Sequence, residues 1–128
     1  MKIKTGIDII EVNRIQEAIE KSKALFLNRV YAKQEIEFCE STNKMKYQHY
    51  AARFAAKEAV FKAISDLLPG NKEDIWKNII VKNEKSGKPI VEFDGALDFL
   101  NSDKFSIDLS ISHIKEYAVA SFVLLINE

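Results

Sequence analysis

AARFAAKEAVFKAI, residues 51–64, contains no helix breaker and carries its apolar and charged side chains at helical spacing. Ala52, Ala56, Ala59 and Ala63 line one narrow stripe of such a helix, a seam of small side chains against which another backbone can lie closely. Arg53 and Lys57 form one i,i+4 pair, and Glu58 and Lys62 form a second. Relative to Arg53, Lys57 lies about 40° round the helix, Glu58 about 140° and Lys62 about 180°. The charges therefore spread over the side opposite the alanines. Two readings fit: an exposed face with two ordinary ion pairs, or a half-buried cleft, which the intervening Phe54 and Phe61 favour.

Outward from this stretch the helical pattern covers about Met45–Leu67 and is expected to stop at Pro69-Gly70. Upstream, Lys2–Ile10 alternates as a strand, with Ile3, Thr5, Ile7 and Ile9 on one face and Gly6 and Asp8 on the other. From Glu11, Val12, Ile15 and Ile19 recur at helical intervals, predicting a helix to near Lys23, and Lys33–Glu40 predicts a second. Downstream, Trp76–Asn83 and Ile90–Phe93 read as strands flanking the turn EKSGKP. Gly95–Asn101 reads as a short helix, and Ser106–Ser112 and Glu116–Ile126 as two final strands. The order β-α-α-α-β-β-α-β-β, without repeat, low-complexity tract or linker, predicts one α+β domain over residues 1–128.

Composition sets the class. The chain has 128 residues, 47% hydrophobic and 30% charged, which suits one soluble domain with a modest core. Its longest apolar run, Tyr117–Ile126, is far shorter than the roughly 20 residues of a membrane-spanning helix. The opening MKIKTGIDII reads as a first strand rather than a signal peptide. The single cysteine, Cys39, cannot form an internal disulfide, and a cytoplasmic setting is expected. Nineteen basic and nineteen acidic side chains cancel, but residues 41–64 hold Lys44, Lys46, Arg53, Lys57 and Lys62 against Glu58 alone. A neutral chain with one basic element is a poor general nucleic-acid binder, yet it suits a compact polyanion such as a nucleotide diphosphate.

Asp8 is an acid within a run of isoleucines beside Gly6. It fits a surface-facing strand position that caps the following helix. It also fits a metal ligand, since one carboxylate from a strand and one from a helix, completed by water and phosphate oxygens, suits magnesium.

Three blocks in order, GIDIIEVNRI at 6–15, RFAAKEAVFKAI at 53–64 and SISHIKEYAVA at 110–120, with SGKPIV at 86–91 between them, resemble the bacterial holo-(acyl carrier protein) synthase family of phosphopantetheinyl transferases. The resemblance spans nearly the whole chain. It implies a compact domain in which a mainly antiparallel sheet packs on the long central helix. It also implies transfer of the 4′-phosphopantetheine arm of coenzyme A to a serine of an apo acyl carrier protein, giving 3′,5′-ADP, with magnesium (or manganese) as cofactor and fatty acid biosynthesis as setting. By the match of G-x-D and AAKEA, Asp8 and Glu58 are the implied metal ligands and Lys62 a phosphate contact that offsets charge on the leaving group. Arg53 and Lys57 suit the nucleotide end, including its 3′-phosphate, and Ser112 and His113 border it. Arg14 in the first helix, with Lys21 and Lys23, is implied to dock the acidic carrier. The resemblance further implies a homotrimer with active sites between neighbouring subunits, to which Asp8 and His113 of different chains contribute.

Three departures from the family pattern stand out. Many relatives have a glycine where this chain has Lys4, and a GTGxG loop where it has Ser65-Asp66-Leu67-Leu68-Pro69-Gly70. Where they begin the second helix with Thr-x-x-Glu, a capping box, this chain has Ala32-Lys33-Gln34-Glu35. Glu35 thus has two readings: a base or water-orienting group near the serine, or a first-turn glutamate favoured by the helix dipole.

Overall fold

The computed structural model describes residues 1–68, 70 and 75–127. Strand β1 (Lys2–Glu11) leads directly into helix α1 (Val12–Ser22), followed by α2 (Ala24–Val30) and α3 (Lys33–Ser41). A 3-10 turn, Asn43–Met45, opens the long helix α4 (Lys46–Ile64). Then come the hairpin β2 (Ile79–Asn83) and β3 (Pro89–Phe93), a 3-10 segment (Gly95–Asn101), and strands β4 (Phe105–His113) and β5 (Tyr117–Ile126).

The α+β order matches the sequence expectation with local differences. Helix α2 was not anticipated, because seven residues are too few for a periodic signal. It is set off from α1 by Lys23, whose φ of 50° breaks the helical path. Helix α4 ends at Ile64 and continues as a 3-10 turn, Ser65–Leu67. The stop expected at Pro69 lies outside the described residues. Trp76–Asn78 is a 3-10 turn rather than the start of a strand, and Gly95–Asn101 is 3-10 rather than α.

The strands form two antiparallel sheets, a three-stranded one in the order β1-β5-β4 and the pair β2-β3. Helix α4 packs against both. Its alanines Ala55, Ala56, Ala59 and Ala63 join Leu109, Ala120, Phe122 and Leu124 of the first sheet and Ile79, Val81, Val91 and Phe93 of the second in one core. A second cluster, with Val12, Ile15, Ile19, Val30, Tyr31 and Tyr50, seats α1 and α2 on the beginning of α4. Val12, Ile15 and Ile19 are the buried stripe of α1 that the sequence indicated.

The closest approach is at Gly6. A Cβ built there would stand 1.8 Å from the carbonyl oxygen of Ala59, so β1 lies flush on the alanine seam of α4 only because residue 6 has no side chain. This contact turns the even residues of β1 toward the helix and the odd ones away. Ile3, Ile7 and Ile9, the apolar face of the strand, are each 64% exposed. The apolar side of β1 is thus the outer side of the sheet, and Asp8 faces α4.

Candidate active site

Because β1 and α4 run antiparallel in contact, their polar side chains meet in rungs. Asp8 projects from β1, and Glu58 and Lys62, one turn apart on α4, face it. Lys62 Nζ lies 3.2 Å from Asp8 Oδ1 and donates to the Ile7 carbonyl at 2.9 Å. Glu58 is half-buried. Burial, and then the nearby Asp8 carboxylate, push its pKa up against the opposing pull of Lys62. Two carboxylates facing one another with a single ammonium leave an excess of negative charge, which a divalent cation would neutralise. Among the described residues no group of three or more His, Cys, Asp or Glu side chains is arranged around a metal. Two carboxylates fit magnesium, which keeps several positions for water and phosphate oxygens.

The other charged pair of the central helix is divided. Lys57 is fully buried and donates to the carbonyls of Trp76 (2.8 Å) and Ile79. Its ammonium also lies 2.7 Å from Glu35 Oε1. Burial pulls the Lys57 pKa down, and Glu35 opposes that pull. The Glu35 carboxylate, itself 1% exposed, accepts the N–H groups of Ala32 (2.8 Å) and Val81 (3.0 Å). Both groups are turned into the joint between α3, α4 and β2. Neither presents a free face to solvent, so for Glu35 the placement supports the first-turn, structural reading. The neighbouring Cys39 thiol is likewise enclosed, and burial pushes its pKa up to about 12.

Arg53 takes a third direction. It is 5% exposed, donates to Asn83 Oδ1 at 2.9 Å, and rests on the Phe38 ring with its guanidinium carbon 4.3 Å from the centroid. Its Nε is buried without a hydrogen-bond partner. His113, at the end of β4, reaches the start of α4, where its Nδ1 is 2.8 Å from Gln48 Oε1. Gln48 also lines a cleft of about 450 Å³, with Lys44 and Lys115 on its walls. Ser112, one residue earlier on β4, pairs with Val119 and alternates to the other face of the strand, and both it and His113 border one shallow cleft with Ile9, Ile114, Tyr117 and Val119. On α1, Arg14 and Lys21 are exposed and two turns apart, hence on one side of the helix, and Lys23 follows exposed at its end.

The sequence reading therefore placed Asp8, Glu58 and Lys62 in one group, and the structure brings those three together. It overlooked His49, whose ring stands against His113, and Phe38, which carries Arg53. The spacing of His49 one turn before Arg53 was a usable signal.

Residues 4–122 match the sequence model of the 4′-phosphopantetheinyl transferase superfamily. The chain is 42% identical to a holo-[acyl-carrier-protein] synthase of Ruminiclostridium cellulolyticum, over 100% of this chain and 96% of the relative. It is 40% identical to the synthase of Chloroherpeton thalassium, over 95% and 97%. Among solved structures it resembles the Bacillus anthracis holo-(acyl-carrier-protein) synthase in complex with coenzyme A (3′,5′-ADP), at 35% identity and TM-score 0.75 over 98% of this chain and 96% of that one. It also resembles the Helicobacter pylori enzyme in complex with coenzyme A, at 30% identity and TM-score 0.74 over 94% and 99%. With residues 4–122 matched by the superfamily model and its whole span aligned at 42% identity with a named synthase, the chain belongs to the holo-(acyl carrier protein) synthase family of phosphopantetheinyl transferases.

Proposed function

We propose that this enzyme transfers the 4′-phosphopantetheine arm of coenzyme A to a serine hydroxyl of an apo acyl carrier protein in a magnesium-dependent reaction that supports fatty acid biosynthesis in the cytoplasm. The facing carboxylates of Asp8 and Glu58, with Lys62 on the same rung, are the observation that carries the reading. These two carboxylates would hold the metal, which when bound neutralises charge on the diphosphate. The serine hydroxyl gives its proton to solvent as its oxygen bonds to the β-phosphorus, the bond from that phosphorus to the oxygen bridging the two phosphates breaks, and 3′,5′-ADP leaves with that electron pair. Lys62, half-exposed, is free to exchange its hold on Asp8 for a phosphate oxygen and stabilise the charge left on the departing nucleotide. Arg53, with an unsatisfied buried Nε, and His113 suit the 3′-phosphate, with Ser112 nearby in sequence. Glu35 and Lys57 hold the helices that carry these groups. Arg14 and Lys21 offer a basic stripe for an acidic carrier.

Two features support a homotrimer with shared sites. The outer sheet face exposes Ile3, Ile7 and Ile9 beside Tyr117 and Val123, an apolar patch of the kind that other subunits cover. Gln48, which holds His113, and Glu58 are ten residues apart on α4, about 15 Å along the axis. That is longer than the ribose linking the two phosphate groups of one coenzyme, which favours His113 of one subunit serving the metal site of the next.

The test is incubation of the protein with coenzyme A, magnesium and apo acyl carrier protein, followed by intact-mass measurement. The carrier should gain the mass of one phosphopantetheine arm, and neither chelated samples nor Asp8→Ala or Glu58→Ala protein should produce it. Magnesium-independent coenzyme A binding with no mass gain on several bacterial carriers would instead indicate a nucleotide-binding module without catalysis.

A further inference from the structure

Lys62 has three acids for neighbours. Asp8 lies across from it on β1, Glu58 one turn before it on α4, and Asp66 one turn after it in the turn Ser65–Leu67. It holds the first, with Nζ 3.2 Å from Asp8 Oδ1 and 2.9 Å from the Ile7 carbonyl oxygen. The third is taken by another cation, since Lys4 Nζ lies 2.5 Å from Asp66 Oδ2. Lys4 shares with Gly6 and Asp8 the side of β1 that meets α4, so its ammonium reaches the end of the helix as Asp8 reaches Lys62. The Lys4 side chain is 24% exposed against 52% for Lys62, so the more covered cation holds the acid and the more open one faces the site. The hydrogen bond from Lys4, and more weakly the charge of Lys2, hold the Asp66 carboxyl below its ordinary range, and the acid is ionised at neutral pH.

We propose that Lys4 is a positioning residue for the transfer site: by occupying Asp66 it keeps the Lys62 ammonium on the Asp8 rung, where the diphosphate of coenzyme A would meet it. The proposal rests on the reading of coenzyme A as the substrate and deepens it. An exposed ion pair gains little over its alternatives, so a lysine with several acids in range divides its time among them. Without Lys4, an ionised Asp66 draws a share of Lys62 one turn away from Asp8. The draw is limited, because a lysine one turn before its acid on a helix pairs less well than a lysine one turn after it. This role differs from simple fastening of the turn to the strand. A fastening is lost alike whether one partner is removed or both, whereas an occupant of Asp66 is needed only while Asp66 carries charge.

The experiment uses the full-length protein carrying isotope-labelled lysine and reads two quantities. One is the NMR signal of the Lys62 Cε in the ligand-free protein, identified by its loss in Lys62→Met. The other is the calorimetric affinity for coenzyme A in the presence of magnesium. In Lys4→Met the Lys62 signal should move and the affinity should fall about threefold, the scale of one exposed ion pair. In the double variant Lys4→Met with Asp66→Asn both should return to their native values, because no competing acid remains. Lys4→Arg, which keeps a cation on Asp66, should behave as native. A Lys62 signal unmoved in Lys4→Met, an unchanged affinity, or a double variant as impaired as Lys4→Met would each overturn the proposal, the last by leaving Lys4 with fastening alone. A native protein that does not bind coenzyme A overturns the proposed function and this inference together. Native binding with an unaffected Lys4→Met overturns this inference alone.

Discussion

The ammonium of Lys4 is ion-paired with the carboxylate of Asp66, joining two positions that the sequence reading set apart from the pattern of the family it resembles. The pair continues the ladder between β1 and α4, one rung beyond Lys62 and Asp8. A side chain at residue 4 and an acid after α4 thus arrive together, and they clip the turn Ser65–Leu67 to the strand. The hydrogen bond from Lys4 holds the Asp66 pKa below the usual aspartate value. Its contribution to stability is therefore full above the unfolded value of about 3.9 and is lost as pH falls through the lower folded one. The thermal midpoints of the native protein and Asp66→Asn should differ slightly at neutral pH in dilute buffer. They should converge both in strong acid and at about 1 M salt, where screening acts within roughly 3 Å. A difference that persists in salt would mean that Asp66 acts through something other than Lys4.

The facing of Asp8 and Glu58 implies a cost in the metal-free protein that the metal removes. Glu58→Gln should raise the thermal midpoint of metal-free protein, because it relieves both the burial of a charge and its repulsion by Asp8. Added magnesium should raise the midpoint of the native protein and leave that of Glu58→Gln nearly unchanged, inverting their order. Calorimetric melts with and without the ion read this directly, without a carrier or coenzyme. A native protein indifferent to magnesium would remove the metal assignment.

Much of this was legible because it depends on local pattern. The alanine seam, the stripe Val12-Ile15-Ile19 and the alternation of β4 each reflect a repeat of one element, and each appears in the fold. What was not legible depends on which face meets which. The alternation of β1 separated its isoleucines from Gly6 and Asp8 without saying which face is inward, and the isoleucines point outward because only the glycine side can approach Ala59. Likewise Lys57, one turn from Arg53, looked like part of a charged face and instead reaches Glu35 in the interior. No periodicity announces that partner, which comes from another helix twenty-two positions away. The pairing of Lys4 with Asp66 is of the same kind, since each residue alone reads as a departure and only the packing of strand on helix shows them as a pair.

Gly6 tests how tightly the site depends on the strand–helix contact. In Gly6→Ala the new methyl would meet the Ala59 carbonyl, a backbone atom that cannot swing aside, so β1 or α4 must shift. The expected loss is about 3 kcal/mol in urea unfolding, at the upper end for an overpacked core. Asp8 lies two residues further along the same strand and Glu58 beside Ala59, so the shift also changes their separation. Transfer activity should fall by a larger factor than the folded fraction does, measured at a temperature where the variant remains folded. Activity that tracks the folded fraction alone would show that the carboxylates tolerate the displacement.

The buried Glu35–Lys57 pair yields a prediction about architecture. Removing one partner leaves an uncompensated charge inside: Lys57→Met strands the Glu35 carboxylate and leaves the Trp76 and Ile79 carbonyls without their donor. Each single change, Lys57→Met or Glu35→Gln, should cost about 3–5 kcal/mol in chemical unfolding. The double variant removes both charges, and its glutamine retains an acceptor for the N–H groups of Ala32 and Val81. It should therefore cost well below the sum of the two, with the shortfall measuring the coupling between them. Because both side chains face the joint of α3, α4 and β2, the folded double variant should keep the KM for coenzyme A close to the native value. A selective rise in that KM, with additive stability losses, would place Lys57 at the coenzyme after all and leave the joint to be held by apolar packing alone.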